Sequence, residues 1–540
     1  MLEILLTVPL GIISLILLLL LFSRRRREGE PPLIKGWIPF LGKALEFRND
    51  SSQFLQQLQK CHGDVFTVLI AGKYMTFVMN PLLYPAVIKQ GKQLDFHKFS
   101  DAAASTTFGF PAVNTGKFPG LSDKIQRSFQ LLQGCALNSL TLKMTGNLQL
   151  VLKQDFLSSN VVGRECDWRQ EDLYEFCERV MFEATFLTLY GRPPQTNMDV
   201  HTQFHRESWI DVLLDNFRRF DAMFPLLIAR IPIVLLGRIK SIREQLIRFF
   251  HPHRMAEWTN PSEFIQARTE LFNQYDTLKD LDKAAHHFGI LWASVGNTVP
   301  ACFWCLYHLL SSPKAFSVVQ DEIMGMFGEK EPETMTREQL EKLIYLESAI
   351  NESLRLSSVS MNIRVVQEDF CLRLNPHCSV CVRKGDIVTL YPQSTHLDPE
   401  IYPDPEVNSS NTCKILKLKF NECDCKFLHG DLCVILQQYQ FDRFVENGKM
   451  KTEFYKGNQK VRYYHMPFGS GATMCPGRFF ALNELKQFFC ITLLMCDMQL
   501  TAGQQHATME KSRAGLGIMP PANHISFRYR VKKCLQTQGL

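Results

Sequence analysis

The feature that most constrains this chain is an unbroken apolar run near its start. Residues 4–22 (ILLTVPLGIISLILLLLLF) are long enough to cross a bilayer as one helix, and Arg24 to Arg27 follow at once. A cleavable signal peptide carries its positive charge before the apolar run, where this chain has only Glu3. Because positive flanks remain cytosolic, we predict a membrane anchor at 1–23, a basic and proline-containing linker at 24–35, and a cytosolic domain at 36–540.

Composition excludes several classes of protein. A hydrophobic content of 46% with 11% aromatic residues provides for a large buried core. A net charge of +6 over 540 residues is far too small for a nucleic-acid-binding surface, so we expect no nucleic-acid partner. The 17 cysteines are scattered and odd in number, which predicts mostly reduced thiols rather than a secreted disulfide framework.

The chain is predicted to be mainly α-helical with a small β region. The stretch 66–80 indicates a hairpin around Ala71-Gly72-Lys73, and most long segments after about residue 120 have helical periodicity. One segment, 408–438, interrupts a proline-rich loop and has no clear period. Its Cys423-x-Cys425 pair has no second pair at zinc spacing, so we interpret the segment as an atypical insertion, either an extra surface loop or a stretch wrongly included when the sequence was assembled.

Three motifs carry the candidate chemistry. Glu352 and Arg355 are three residues apart in a helical run, a spacing that lets them pair, although most such pairs are solvated. Arg443 lies within an aromatic stretch, YQFDRF. The third motif, FGSGATMCPG (468–477), presents Cys475 on a glycine-rich loop before a helix, where a thiolate is stabilised and can bind a metal.

In this order, the three motifs resemble those of the cytochrome P-450 family, the haem-thiolate monooxygenases. The resemblance implies a helical fold with a small sheet, haem b (iron protoporphyrin IX) as cofactor, and Cys475 as the axial ligand of the iron. Phe468, Gly471 and Gly477 would form the cofactor loop, and Glu352, Arg355 and Arg443 a structural network. Two departures concern the haem propionates. Thr473 replaces the usual arginine, so Arg364 is expected to supply that charge, and Phe129 and Gln133 replace a tryptophan and an arginine.

Residues 288–310 form a long apolar segment without Lys, Arg, Asp or Glu. A second membrane span is one interpretation, but Asn297, Thr298 and Pro300 would be costly in lipid. The family instead runs a long helix over the distal face of the haem. By this resemblance Thr298 would relay protons during oxygen activation. Asn297 replaces an acid and would bind a hydroxyl group or position water.

Within the family, several runs resemble the sterol 7-alpha-hydroxylase group, among them HFGILWASVGNTVP, ESLRLSSVSMNIR, MPFGSGATMCPGR and SRAGLGI. The resemblance implies a cholesterol or oxysterol substrate on the route to bile acids, an NADPH-cytochrome reductase as electron donor, and a single-pass protein of the endoplasmic reticulum membrane. The predicted sterol-lining residues are Trp292, Ala293, Gly296, Asn297, Met361, Asn362, Leu516 and Ile518. A haem-thiolate isomerase, a sterol 12-alpha-hydroxylase and a non-catalytic membrane-tethered haem or sterol sensor remain alternatives.

Overall fold

The computed structural model describes residues 24–113, 116–157, 168–194, 209–328, 332–403, 439–513 and 515–532. The predicted anchor at 1–23 and the predicted insertion at 408–438 lie outside the described residues.

Helices make up most of the described chain, so the prediction of a mainly helical protein with a small β region is confirmed. Their bounds are α1 Ala44–Asn49, α2 Ser51–His62, α3 Tyr84–Ile88, α4 His97–Phe108, α5 Leu121–Ser128, α6 Ala136–Val151, α7 Leu173–Tyr190, α8 Trp209–Ala222, α9 Phe224–Ile228, α10 Ile239–Phe249, α11 Pro252–Met255, α12 Glu263–Asn273, α13 Asp280–Val295, α14 Thr298–Ser311, α15 Pro313–Phe327, α16 Arg337–Glu341, α17 Ile344–Ser357, α18 Pro392–His396 and α19 Arg478–Met495.

The strands are short and form small sheets. Their bounds are β1 Leu33–Ile34, β2 Val65–Ile70, β3 Lys73–Val78, β4 Leu94–Asp95, β5 Arg169–Asp172, β6 Asn362–Val366, β7 Phe370–Asn375, β8 Cys378–Val382, β9 Ile387–Leu390, β10 Val445–Glu446, β11 Lys449–Met450, β12 Tyr455–Lys456, β13 Gln459–Lys460, β14 Cys496–Leu500 and β15 Ser526–Val531. The largest sheet has the order β1-β2-β3-β9-β6-β4, and a second has the order β14-β15-β5. The predicted hairpin is β2–β3, with Ala71 and Gly72 both at positive φ in its turn.

The core is built around four helices, α7, α13, α14 and α19, which contribute to one continuous apolar cluster. α7 is buried on nearly every side, and α14 packs against α7, α17 and α19. This arrangement packs α14 against α19, and α19 begins directly after the cysteine loop.

The apolar segment 288–310 is not one straight helix, because α13 ends at Val295 and α14 begins at Thr298. Pro300 has no amide proton to donate to the carbonyl of Gly296, and its ring crowds that carbonyl. By length and composition, residues 280–311 could cross a membrane, but 67% of their most apolar window is buried inside the protein. The segment therefore serves as core, as the sequence interpretation favoured.

One disulfide is present among the described cysteines, beside a majority of free thiols. Cys371 and Cys381 lie opposite each other in the β7–β8 hairpin and are bonded. A cross-strand pair of this kind is set by strand register, which the cysteine spacing alone does not reveal. The other described cysteines are free.

Candidate functional site

The loop that carries Cys475 is held by short backbone contacts. The amide of Cys475 donates to the carbonyl of Phe468 at 2.8 Å, which closes the loop, and α19 starts three residues later. Gly471 has φ +62° and packs tightly, since a Cβ there would lie 2.6 Å from Ile88 Cγ2. A side chain at position 471 would therefore strain the loop in both conformation and space.

Two opposing effects act on the sulfur of Cys475. The protein crowds the sulfur, and this burial raises the pKa of the thiol, although the residue as a whole is exposed. The amides of Gly477 and Arg478, together with the charge of Arg478, offset this effect only in part, so the pKa of the thiol stays above its ordinary value. These donors belong to the start of α19, where the helix dipole also favours an anion. A thiolate at this position is therefore stable when a bound cation compensates its negative charge.

Strand β6 supports the cysteine loop. Arg364 donates to the hydroxyl of Thr473 at 2.6 Å, and the hydroxyl of Ser470 donates to Asn362 Oδ1 at 2.9 Å. Arg364 is therefore in contact with the residue that replaces the family's arginine. The sequence predicts Asn362 in the lining of a sterol pocket, and the structure shows that its side chain is buried and accepts this hydrogen bond from the loop. The sequence could not reveal which way β6 turns this side chain.

Glu352, Arg355 and Arg443 form a closed ionic network. Arg355 donates to both carboxylate oxygens of Glu352, at 2.7 and 2.8 Å, and Arg443 Nε lies 2.9 and 3.0 Å from the same oxygens. Glu352 and Arg355 are fully buried, so this is not a solvated surface pair. Burial by itself would raise the pKa of Glu352, but the two arginines outweigh it and hold the pKa below its ordinary value.

The bend between α13 and α14 carries two polar side chains of the predicted distal helix, Asn297 and Thr298. Thr298 donates to the carbonyl of Ser294 at 2.8 Å, and Asn297 Oδ1 accepts from the amide of Ile518 at 2.9 Å. The carbonyl end of the Asn297 side chain is thus committed to the 515–518 loop. A Cβ on Gly517 would lie 2.1 Å from that oxygen, so only glycine allows the loop to approach this closely.

Residues 358–364 connect the two halves of the site. Asn362 and Arg364 touch the cysteine loop, whereas Val359 donates its amide to the carbonyl of Gly517 at 2.9 Å. Met361 lies beside Gly515, and Ile518 pairs with Ser358. The predicted lining residues Met361, Leu516 and Ile518 are therefore close to Asn297, and only a few residues of extended chain separate this group from the cysteine loop.

Trp292 and Ala293 lie one turn before the bend. The Trp292 indole donates to Asp221 Oδ1 at 2.8 Å and stacks on Phe224 with ring centroids 3.9 Å apart, while Gly296 packs against its ring. Arg513 donates to the Asp221 carboxylate at 2.7 Å, and this contact connects the turn at 511–513 to α8. Ala293 is exposed within a helix that is otherwise largely buried, so this turn of α13 faces open space.

Sequence reasoning missed Glu484, on the first half of α19. Its carboxyl is buried and accepts from Thr185 at 2.9 Å. Burial raises its pKa to about 8, although the hydroxyls of Thr185 and Thr298 lower it. A buried acid therefore lies close to Thr298. The available signal was an acid inside the apolar run RFFALNELKQFFC.

The residues on the cysteine side fit an iron porphyrin. A porphyrin needs only one protein ligand, and Cys475 offers a single sulfur surrounded by amide donors. Gly477 keeps the flank of this sulfur open, since a Cβ there would lie 3.9 Å from it, beside Leu132. Within the described ranges no group of three or more His, Cys, Asp or Glu side chains is arranged to hold a bare metal ion.

Comparisons with known proteins agree with this geometry. The cytochrome P450 family model matches residues 31–408 and 437–527, which leaves 409–436 between the matched segments. The chain is 38% identical to cytochrome P450 7B1 of Mus musculus, over 94% of this chain and 92% of that protein. It is 38% identical to cholesterol 7-alpha-monooxygenase of Cricetulus griseus, over 94% of each. It is 36% identical to 25-hydroxycholesterol 7-alpha-hydroxylase of Rattus norvegicus, over 84% of this chain and 99% of that protein.

Proposed function

This chain belongs to the cytochrome P450 family of haem-thiolate monooxygenases, and on that premise we propose that it hydroxylates a sterol at the 7-alpha position. The observation that carries the proposal is the near full-length identity, 36–38%, to relatives named as 7-alpha-hydroxylases of cholesterol and 25-hydroxycholesterol. The substrate class is therefore cholesterol or an oxysterol, and the product belongs to sterol metabolism toward bile acids.

We propose haem b as the cofactor, with Cys475 as its axial ligand. When bound, the haem supplies the oxidising chemistry that inserts one oxygen atom into a C–H bond. Phe468, Gly471 and Gly477 shape the loop beneath it. Arg364 binds a haem propionate in this proposal. Its hydrogen bond to Thr473, the residue in place of the usual arginine, supports this role. Glu352, Arg355 and Arg443 hold the loop's surroundings rigid and do not touch the substrate.

The catalytic residues of the distal side are Thr298 and Asn297. The Thr298 hydroxyl donates to the Ser294 carbonyl, and the protonated Glu484 carboxyl near it can give a proton to the hydroxyl oxygen as the hydroxyl passes its own proton on to the distal side. Asn297 cannot release a proton. Its Oδ1 is engaged by Ile518, which leaves the Nδ2 group to donate to a hydroxyl or a water molecule.

The sterol-binding residues in the proposal are Trp292, Ala293, Gly296, Asn297, Met361, Asn362, Leu516 and Ile518. Because Ala293 has only a methyl side chain and Gly296 has none, a flat ring system can lie close against this part of the distal helix. The anchoring of Trp292 by Asp221 and Phe224 fixes one wall. The 515–518 loop, tied to Asn297 and Val359, fixes the opposite one.

The electron donor in this proposal is an NADPH-cytochrome reductase that docks on the cysteine side. Arg478 reaches back to the Cys475 carbonyl at 3.0 Å on an exposed part of the loop. Exposed Lys124 and Arg127 lie on α5, which leads into the turn that contacts Gly477 through Leu132. Such cations favour an acidic partner.

We propose that the protein is a single-pass component of the endoplasmic reticulum membrane, with 1–23 as the anchor, 24–35 as the linker and 36–540 on the cytosolic side. Exposed apolar side chains support contact with lipid at two further places. Trp37 and Phe40 follow the linker, and Val234 and Leu235 lie in the turn before α10. Large exposed apolar groups of this kind are typical of membrane-facing surfaces.

The decisive experiment offers cholesterol and oxysterols in competition to the full-length enzyme with reductase and NADPH, and analyses the products by mass spectrometry. Oxygen at C7 in the alpha configuration is the expected result. Oxygen only at C12 would identify a 12-alpha-hydroxylase, and a rearranged product without NADPH use would identify an isomerase. Sterol binding without turnover would identify a sensor. Each of these three outcomes would overturn the proposal.

We also propose that 408–438 is an insertion that the enzyme does not need. The matched family segments end at 408 and resume at 437, which supports this boundary. A variant lacking 409–436 is expected to keep the haem spectrum and sterol turnover. Loss of haem in that variant would show that the segment belongs to the working fold.

A further inference from the structure

A small cavity of about 190 Å³ lies beside the N-terminal half of α13, away from the cysteine loop. Its polar lining consists of Arg268, His286 and Asp101, and the rest is apolar: Ala104, Phe108, Phe110, Ala112, Val113, Ile125, Gly289 and Ile290. Neither Arg268 nor His286 has a role in the site described above.

Arg268 is a buried cation without a counter-ion among the described residues. Its residue is 2% exposed, its guanidinium lies 5.2–5.5 Å from the ring centroids of Phe129, Phe264 and Phe272, and it donates to the Ser128 hydroxyl at 3.2 Å. In the part of the chain that the structure describes, its Nε has no hydrogen-bond partner and no carboxylate forms an ion pair with it. Burial lowers the pKa of Arg268 only to about 10, so the group is charged at neutral pH. Three aromatic rings and one hydroxyl stabilise this buried charge in part, but no described carboxylate neutralises it.

His286 presents a second unused group to the same cavity. The residue is 5% exposed, and its ring is held between Phe110 and Phe272, with centroids 3.9 and 4.9 Å away. Its Nε2 has no hydrogen-bond partner within the described ranges. Burial, with Arg268 and His287 nearby, keeps the pKa of His286 well below its ordinary value, so the neutral ring can offer one N–H donor. Asp101, the acid of the lining, has its pKa raised by burial.

The cavity lies in line with the proposed sterol-binding face. His286, Ile290 and Ala293 are spaced four and three residues apart on α13, so they share one face of the helix. Seven residues of helix span about 10 Å. A sterol whose rings lie against Ala293 can therefore extend its side chain along α13 toward Arg268 and His286.

We propose that Arg268 and His286 form a subsite for a carboxylate, and that this carboxylate is the acidic end of a sterol side chain. The proposal deepens the proposed function and rests on it for the position of the sterol rings. A carboxylate provides a counter-ion for Arg268 and accepts hydrogen bonds from Arg268 Nε and His286 Nε2. Charge-assisted hydrogen bonds of this kind contribute about 1.5–3 kcal/mol, which corresponds to roughly ten- to a hundredfold in affinity.

The test compares two ligands on the full-length holoenzyme: a sterol with a carboxylate at the end of its side chain, and the same sterol with a primary alcohol there. Binding is followed by the haem difference spectrum and, independently, by calorimetry. We expect the acid to bind about tenfold more tightly than the alcohol. R268Q is expected to remove that preference while changing the Kd of the alcohol less than about twofold. Equal binding of acid and alcohol to the unmodified enzyme would overturn the proposal, as would a preference that survives R268Q.

A second variant tests the contribution of His286. H286F keeps the ring between Phe110 and Phe272 but removes the donor, and a weakened preference for the acid is expected. This variant decides the matter if R268Q does not fold. A loss of haem in R268Q with an intact preference would assign Arg268 to the cofactor.

Acetate serves as a probe for a free carboxylate in the same cavity. Its Arg268-dependent binding without a preference for the acidic sterol would overturn the proposal. Failure to form any C7 product while the preference persists would refute the proposed function alone.

Discussion

The guanidinium of Arg364 donates a 2.6 Å hydrogen bond to the hydroxyl of Thr473, two residues before Cys475. The bond joins strand β6 to the cysteine loop, so a charge that the loop itself lacks at position 473 comes from a neighbouring strand. The sulfur of Cys475 and this cation are therefore positioned together.

R364L is expected to lower the haem content of the purified protein several-fold, because the cation that contacts Thr473 is removed. The ratio of haem absorbance to protein concentration measures this effect. R373L is the matched control, since Arg373 is exposed on β7. An R364L protein that retains full haem content would remove the proposed propionate contact.

C475S is expected to abolish the red-shifted Soret band of the carbon monoxide complex after dithionite reduction, because only a thiolate ligand produces it. C135S is the control, since Cys135 is a free and exposed cysteine at the start of α6. An unchanged spectrum in C475S would mean that another group binds the iron.

E352Q is expected to destabilise the protein by about 3–5 kcal/mol, because it leaves two buried arginines without their shared carboxylate. Thermal unfolding of the holoprotein and the yield of folded protein measure the loss. E341Q removes an exposed ion pair with Arg337 and is expected to cost less than about 1 kcal/mol. Similar losses in both variants would contradict the network's structural role.

Patterns along the chain predicted those parts of the site that are set locally. The three-residue spacing of Glu352 and Arg355 is a local feature, and the structure pairs these two side chains as the spacing suggests. The glycine-rich loop before α19 is also a local feature. The break at Gly296 also has a local cause, Pro300. In contrast, the hydrogen bond from Ser470 to Asn362 could not be predicted, because the direction of the Asn362 side chain depends on how β6 packs. Glu484 and Arg268 were missed because their partners lie far away in sequence.

T298A is expected to uncouple NADPH consumption from product formation, since the hydroxyl between Ser294 and Glu484 is lost. T298S keeps the hydroxyl and serves as the control. The measurement is the amount of hydroxylated sterol per NADPH oxidised, with hydrogen peroxide release followed in parallel. Unchanged coupling in T298A would exclude the relay.

The raised pKa of Glu484 predicts that the stability of the protein depends on pH. Its folded-state pKa is about 8, above the ordinary value of 4.5, so the folded protein binds this proton more tightly than the unfolded chain. Stability contributed by the protonated carboxyl is therefore fully present below about pH 4.5 and is lost as the pH rises toward about 8. E484Q mimics the neutral acid and removes this dependence.

The comparison is the melting temperature of wild type and E484Q between pH 6 and pH 8, in the same buffer and with haem bound. The wild type is expected to lose more stability than E484Q across this interval, because only the wild type must bury an ionised carboxylate at the upper end.

E322Q is a useful control: Glu322 is also partly buried, but its oxygens accept the amides of Tyr345 and Leu346, far from Thr298. If coupling of NADPH to product changes with pH in wild type and in E322Q but not in E484Q, the buried acid acts through Thr298. Parallel pH profiles in all three proteins would leave Glu484 as a packing residue only.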